Sequence, residues 1–221
     1  MYNITLIGTY HADSGNCNYF ELLKIIEKIN PEVIFEETPP SYFDKYYINK
    51  TENKLETNAI NKYLESHQIE HILVDSDDVP PISFFRNDQS MHERIEKFSC
   101  GYRNIIDIIK IYRELYGFKF LNSIDYINLN KAFDIEIENT LQVFNDERLH
   151  KIRKLWNDLM NKRENEMLKN IYNYSKEHTY NTGLFLIGAA HRESIINKLK
   201  EYDNMNYVKI IWNYSNYDNI L

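Results

Sequence analysis

The sequence predicts an α/β fold in which a mostly parallel central sheet is flanked by helices. Three observations predict it. Short apolar runs alternate with stretches of helical periodicity over residues 4–75, and the same alternation returns after residue 184. A long helical stretch separates the two regions, placing an insertion of about 85–180 between the third and fourth strands. The 221 residues suit a single α/β domain spanning 1–221.

Each element has its own signal. Ile4-Thr5-Leu6-Ile7 is a short β-rich run that stops at Gly8. Tyr19 to Ile29 carries apolar residues at 19, 22, 23, 25, 26 and 29, with Asn18 and Glu21 placed as a capping box and Asn30-Pro31 as the stop. Val33-Ile34-Phe35 forms a second strand closing on Glu36-Glu37, Leu55 to Ser66 a helix, and Ile72-Leu73-Val74 a third strand closing on Asp75. Strand–helix–strand units at this spacing imply right-handed crossovers and parallel pairing. Ser90 to His178 reads as helical with breaks near Gly101, Gly117 and Ser123. Leu184 to Ile187 and Val208 to Trp212 then read as strands around a helix from Glu193 to Tyr202.

One phrase occurs twice. Leu6-Ile7-Gly8-Thr9-Tyr10-His11 and Leu186-Ile187-Gly188-Ala189-Ala190-His191 both read Leu-Ile-Gly-x-x-His, each between a strand and a helix. In an open parallel sheet, ligands bind outside the carboxyl ends of the strands. Glycine there lets the backbone approach a ligand, which makes Gly8 and Gly188 candidates for cofactor binding. A histidine three residues on sits over the sheet edge, so His11 and His191 are expected to face one site.

Carboxylates end the neighbouring strands: Glu36 and Glu37 after the second, Asp75 after the third. Alternate strand residues point to opposite faces, so one of the two glutamates is expected to face solvent. Two histidines with carboxylates suit a divalent transition metal or general acid–base chemistry. Arg163 falls on an apolar helical stripe with Trp156, Leu159, Met160 and Met167. A cation on a core face needs an anionic partner, and Glu36 or Glu37 is the expected one.

Other signals carry less. His67 and His71 straddle a helix end and a strand start, so their rings should not share a face. His92, His150 and His178 lie on polar helical stretches and are expected to be solvated, and Asp77 and Asp78 precede a proline pair as turn formers. Cys17 and Cys100 lack both a disulfide pattern and metal spacing. A net charge of −7 without a basic stripe argues against nucleic acid and against an anionic membrane surface. The amino terminus opens on a strand without a signal-peptide pattern, and the longest apolar stretch, Gly183 to Ala190, is far below the roughly 20 residues of a bilayer span. A cytoplasmic location is therefore expected.

The motif set resembles the TraB/Tiki family, within the wider erythromycin-esterase-like and ChaN-like superfamily. The matching residues are Gly8-Thr9-Tyr10-His11, the Glu36-Glu37 pair, Arg163-Glu164-Asn165-Glu166-Met167 and Gly188-Ala189-Ala190-His191, in that order along the whole chain. The resemblance implies a divalent metal and hydrolysis of a peptide or ester bond. His11, Glu36 and His191 would hold the metal, Glu37 or Asp75 would act as base, and Arg163 would stabilise a developing oxyanion or orient Glu36. Other members are haem-binding lipoproteins or regulators, so a non-catalytic metal or haem binder and a regulatory protein with a remnant site are the alternatives. The Asp13-Ser14-Gly15 loop departs from the hydrophobic segment expected after the first histidine.

Overall fold

The computed structural model describes residues 2–205 and 208–214. Five parallel strands form one sheet in the order β3-β2-β4-β1-β5: β1 (Tyr2–Thr9), β2 (Val33–Glu36), β3 (Glu70–Leu73), β4 (Thr182–Gly188) and β5 (Ile210–Asn213). The first and fourth strands, which carry the repeated phrase, are hydrogen-bonded neighbours. Helices α1 (Tyr19–Ile29) and α2 (Leu55–Leu64) pack on one face, and α6 (Glu147–Glu177) and α7 (Arg192–Met205) on the other. The insertion comprises α3 (Ile82–Phe98), α4 (Cys100–Leu121), α5 (Ile124–Phe144) and α6.

Alternation along the strands divides the core in two. Ile34, Leu184 and Leu186 face α1 and α2, together with Leu22, Ile25, Ile26 and Tyr63. Phe35, Phe185 and Ile187 face α6 and α7, together with Met167, Ile171 and Ile195. Because both faces are covered, the strands read as unbroken apolar runs. A third cluster of Met91, Ile95, Tyr102, Ile137, Leu141 and Leu149 holds the insertion together.

Element boundaries differ from expectation for identifiable reasons. Strand β3 begins earlier because Glu70 and His71 pair with Val33 and Ile34; beyond it, Val74 and Asp75 still donate backbone bonds to Glu36 and Thr38. The break expected near Gly101 falls at Ser99, between α3 and α4, and not at Gly101 itself. Gly101 lies in the first turn of α4, which Ser99 caps through the Tyr102 amide, and its missing side chain makes room for Glu136. The true kink is Gly117 (φ 55°, ψ −134°), where a Cβ would strike the Asn16 carbonyl. Asn18 caps α1 through the Glu21 amide, while the Glu21 side chain pairs with Lys24 instead of completing the box.

Candidate active site

The register of β1 on β4 is the first fact about the site. Gly8 lies opposite Ile187 and Thr9 opposite Gly188, so the two phrases are out of step by one residue. The two glycines therefore have different neighbours. A Cβ on Gly8 would press on Ala189 and on the Arg192 side chain at 3.1–3.3 Å, and both backbone groups of Gly8 are held by the buried Asn122 amide. Gly8 is a packing residue, set apart from the site. A Cβ on Gly188 would stand 3.2 Å from Glu37 Oε2, 3.7 Å from His11 Nε2 and 3.7 Å from His191 Cδ2. Gly188 has φ −53°, an ordinary value, so glycine is needed there for space and not for backbone freedom. Both imidazoles thus lie within reach of one point at the end of β4.

Each ring is oriented by a buried carboxylate. His11 Nδ1 is 3.0 Å from Glu56 Oε1, which also accepts a bond from Thr9 Oγ1 at 2.5 Å. His191 Nδ1 is 2.8 Å from Glu164 Oε1, whose second oxygen accepts from Ser194 Oγ and Lys198 Nζ. With Nδ1 engaged, each ring turns its Nε2 toward Glu37 and Gly188.

Glu37 lies at the centre. Its Oε2 accepts from the Gly188 amide at 2.6 Å; its Oε1 accepts from Arg163 at 2.7 Å and lies 3.3 Å from His191 Nε2. Asp75 takes both Nε and Nη2 of Arg163. Arg163 therefore pairs with Glu37, as expected, and with Asp75 in place of Glu36.

Charge states follow from these contacts. Burial raises the Glu37 carboxyl, but the charges of His191, Arg163 and His11 outweigh it and hold the group far below the usual carboxylate range. Burial lowers the His191 imidazole, yet the Glu37 charge and the bonds to Glu164 and Glu37 carry it up to about 9. His11 is raised, mainly by its bond to Glu56. At neutral pH His191 is an imidazolium held between two carboxylates.

Glu36 corrects the expected ligand set. It lies on the opposite face of β2 from Glu37 and is itself buried, so neither glutamate faces solvent. Tyr47 Oη donates to its Oε2 at 2.5 Å, His71 Nε2 lies 3.0 Å from the same oxygen, and Thr38 Oγ1 donates to Oε1. His71 is accordingly a buried partner of Glu36, while His67 stacks on Tyr63, so the two rings do part company. His92 is half-buried against Tyr102 Oη at 2.8 Å, not solvated. Asp77 accepts from the Ser41 amide and Asp78 pairs with Lys162. Cys17 and Cys100 are both free thiols. Glu56 and Glu164 are the histidine-orienting carboxylates that sequence reasoning missed. Glu164 had a signal, since it adjoins Arg163 within one quoted motif; Glu56 had none beyond its place at a helix start.

A cavity of about 240 Å³ opens on the cluster. His11, Glu37, Asp75 and Arg163 form its polar end, and Tyr42, Tyr46, Phe85, Trp156, Leu159 and Met160 its walls. No described helix is long and apolar enough to cross a membrane. No family model matches the chain, and neither the curated proteins nor the solved structures contain a significant match.

Proposed function

We propose that this chain is a hydrolase of a peptide or ester bond, with a divalent metal ion held by His11, His191 and Glu37. One observation carries the reading: two imidazoles, each fixed at Nδ1 by a buried carboxylate, turn their other nitrogen toward one carboxylate beside a glycine that leaves space. A ligand histidine is usually oriented through its second nitrogen in this way. Two imidazole nitrogens and one carboxylate suit a transition ion with N/O ligands, and the space a Cβ at Gly188 would fill adjoins all three. Among the described residues no three such side chains stand at metal-binding spacing, and His191 Nε2 is paired with Glu37 Oε1 at 3.3 Å. Loading therefore requires the His191 proton to leave.

When bound, such an ion supplies a Lewis acid for a carbonyl oxygen. The chain's own groups do the rest. Asp75 fixes the Arg163 fork, leaving Nη1 on the cavity side of the pair, 3.7 Å from Met160 Sδ, to stabilise negative charge developing on that oxygen. Asp75 is fully engaged in this and is a positioning residue. With Nε2 committed to the ion, His11 would serve as a ligand whose ring Glu56 fixes at Nδ1. A metal-independent version, in which His11 alone handles the proton, is favoured by one feature: both ring nitrogens of His191 already face carboxylates.

The test is a panel of aryl esters and short peptides, assayed after chelation and after adding back zinc, manganese or cobalt. The metal reading expects turnover that chelation removes and one of these ions restores, with His11→Ala inactive. Turnover indifferent to chelator selects the metal-independent version. No turnover under any condition removes the hydrolase assignment.

A further inference from the structure

We propose that the cavity receives a small molecule bearing both an aromatic ring and a carboxylate, and that Lys54 binds the carboxylate. The inference takes the cavity as a substrate site and so rests on the hydrolase reading, whose substrate class it specifies.

The walls fit a flat ring. Tyr42 and Tyr46 stack at 6.2 Å between centroids on one side. Trp156 is backed by Phe84, stacked at 5.9 Å with planes 16° apart, on another. Both pairs present aromatic surface to a cavity of about 240 Å³, a volume for a small molecule and not for a folded chain.

The charges fit one anion. The other cations that line the cavity have carboxylates: Arg163 has Asp75 and Glu37, and His11 has Glu56. Lys54 has none among the described residues. Its half-buried side chain lies instead with Nζ over the Tyr46 ring, 5.0 Å from the centroid. A single unmatched cation, with Glu37, Asp75 and Asp78 nearby, favours a monoanion and repels polyanions.

The helix end gives Lys54 no reason to be there. It occupies the N-cap of α2, where Ser, Thr, Asp or Asn is preferred, and its side chain caps nothing. A cation at the positive end of a helix is unfavourable. The Thr57 hydroxyl accepts from the Lys54 amide and the His11 carbonyl accepts from the Leu55 amide, so this helix end abuts His11. A bound carboxylate would be favoured by Lys54 and by the helix end together. Residues that break a local rule without structural return are characteristic of binding sites.

The test compares N-acetyl-L-phenylalanine with N-acetyl-L-phenylalaninamide, two molecules of one shape that differ in the carboxylate. Of the two tryptophans, Trp156 lines the cavity while Trp212 packs near Tyr172 and Phe185, so Trp212→Phe leaves a single fluorescent reporter. The acid is expected to perturb Trp156 saturably, and the amide to bind at least about tenfold more weakly, as expected for loss of a charge-assisted contact. Lys54→Met should erase that preference without moving the thermal midpoint, and Lys54→Arg should keep it. Equal affinity for acid and amide, no binding of either, or a preference that survives Lys54→Met overturns the inference. If neutral esters are still hydrolysed in that event, the hydrolase reading stands without it. Binding of the acid, with no ester or peptide ever hydrolysed, would keep the inference and remove that reading.

Discussion

Replacing Arg163 by methionine removes a charge while keeping most of the side chain's bulk. The consequences can be worked from its partners. Glu37 would keep the Gly188 amide and His191, but Asp75 would retain just the Ser76 amide at 2.8 Å among the described contacts. Both carboxylates are almost fully buried, with side chains 5% and 2% exposed, whereas Arg163 is 24% exposed. Breaking a buried pair typically costs about 3–5 kcal/mol, because the remaining charge is stranded, and a surface pair costs about 0–1 kcal/mol. The partial exposure of Arg163 places the expected loss near the lower end, about 3 kcal/mol. Urea unfolding of Arg163→Met, Asp75→Asn, Glu37→Gln, Glu36→Gln and the three doubles with Arg163→Met measures it. The Asp75 and Glu37 cycles should each show coupling of about 1–3 kcal/mol, while Glu36→Gln, on the other face of the sheet, should add to Arg163→Met within about 0.5 kcal/mol. A single-variant loss below about 1 kcal/mol, or additivity with both Asp75 and Glu37, would refute the reasoning.

Three further outcomes follow from the same contacts. The His191 imidazole is raised from 6.5 to about 9, so its contribution to metal-free stability is fully present below about pH 6.5 and lost as pH rises through about 9. The shift corresponds to about 3 kcal/mol, and a urea series in which the wild type weakens no more than His191→Gln over that window would show that the imidazolium is not held. Gly188→Ala has a permissible backbone but places a methyl 3.2 Å from Glu37 Oε2 and 3.7 Å from each imidazole; the thermal midpoint should change little while metal binding and turnover disappear, and retained binding would mean the site lies elsewhere. Glu56→Gln removes the main cause of the raised His11 pKa, so the His11 ring resonances should titrate at lower pH by NMR, and an unmoved midpoint would dissociate the pair.

Much of this was legible in the sequence, and the limits have physical causes. The apolar runs marked five strands because both faces of the sheet are covered, which leaves little polar alternation to confuse them. The repeated phrase correctly placed His11 and His191 at one edge. Its repetition also misled, since a one-residue offset between neighbouring strands gives Gly8 and Gly188 different surroundings, and register is not written in either strand alone. Glu36 and Glu37 could not be told apart because each faces a covered side of the sheet. Tyr47 meets Glu36 only through the segment 40–48, whose 3₁₀ and π turns carry no periodic signal, while His71 reaches it across the β2–β3 pairing, whose register is not written in either strand. Glu56 is buried beside His11 at the start of α2, after an irregular stretch over residues 49–54 that composition does not specify.

The central claim is that His11, His191 and Glu37 form one site. Calorimetric titration of zinc into the chelator-treated protein, repeated in buffers of different ionisation enthalpy, tests it most directly. The account predicts one ion per chain, with proton release at neutral pH as His191 gives up its proton, and loss of that binding in His11→Ala, His191→Ala and Glu37→Gln but not in Glu36→Gln. An absence of binding, or binding that survives all three substitutions, would contradict it.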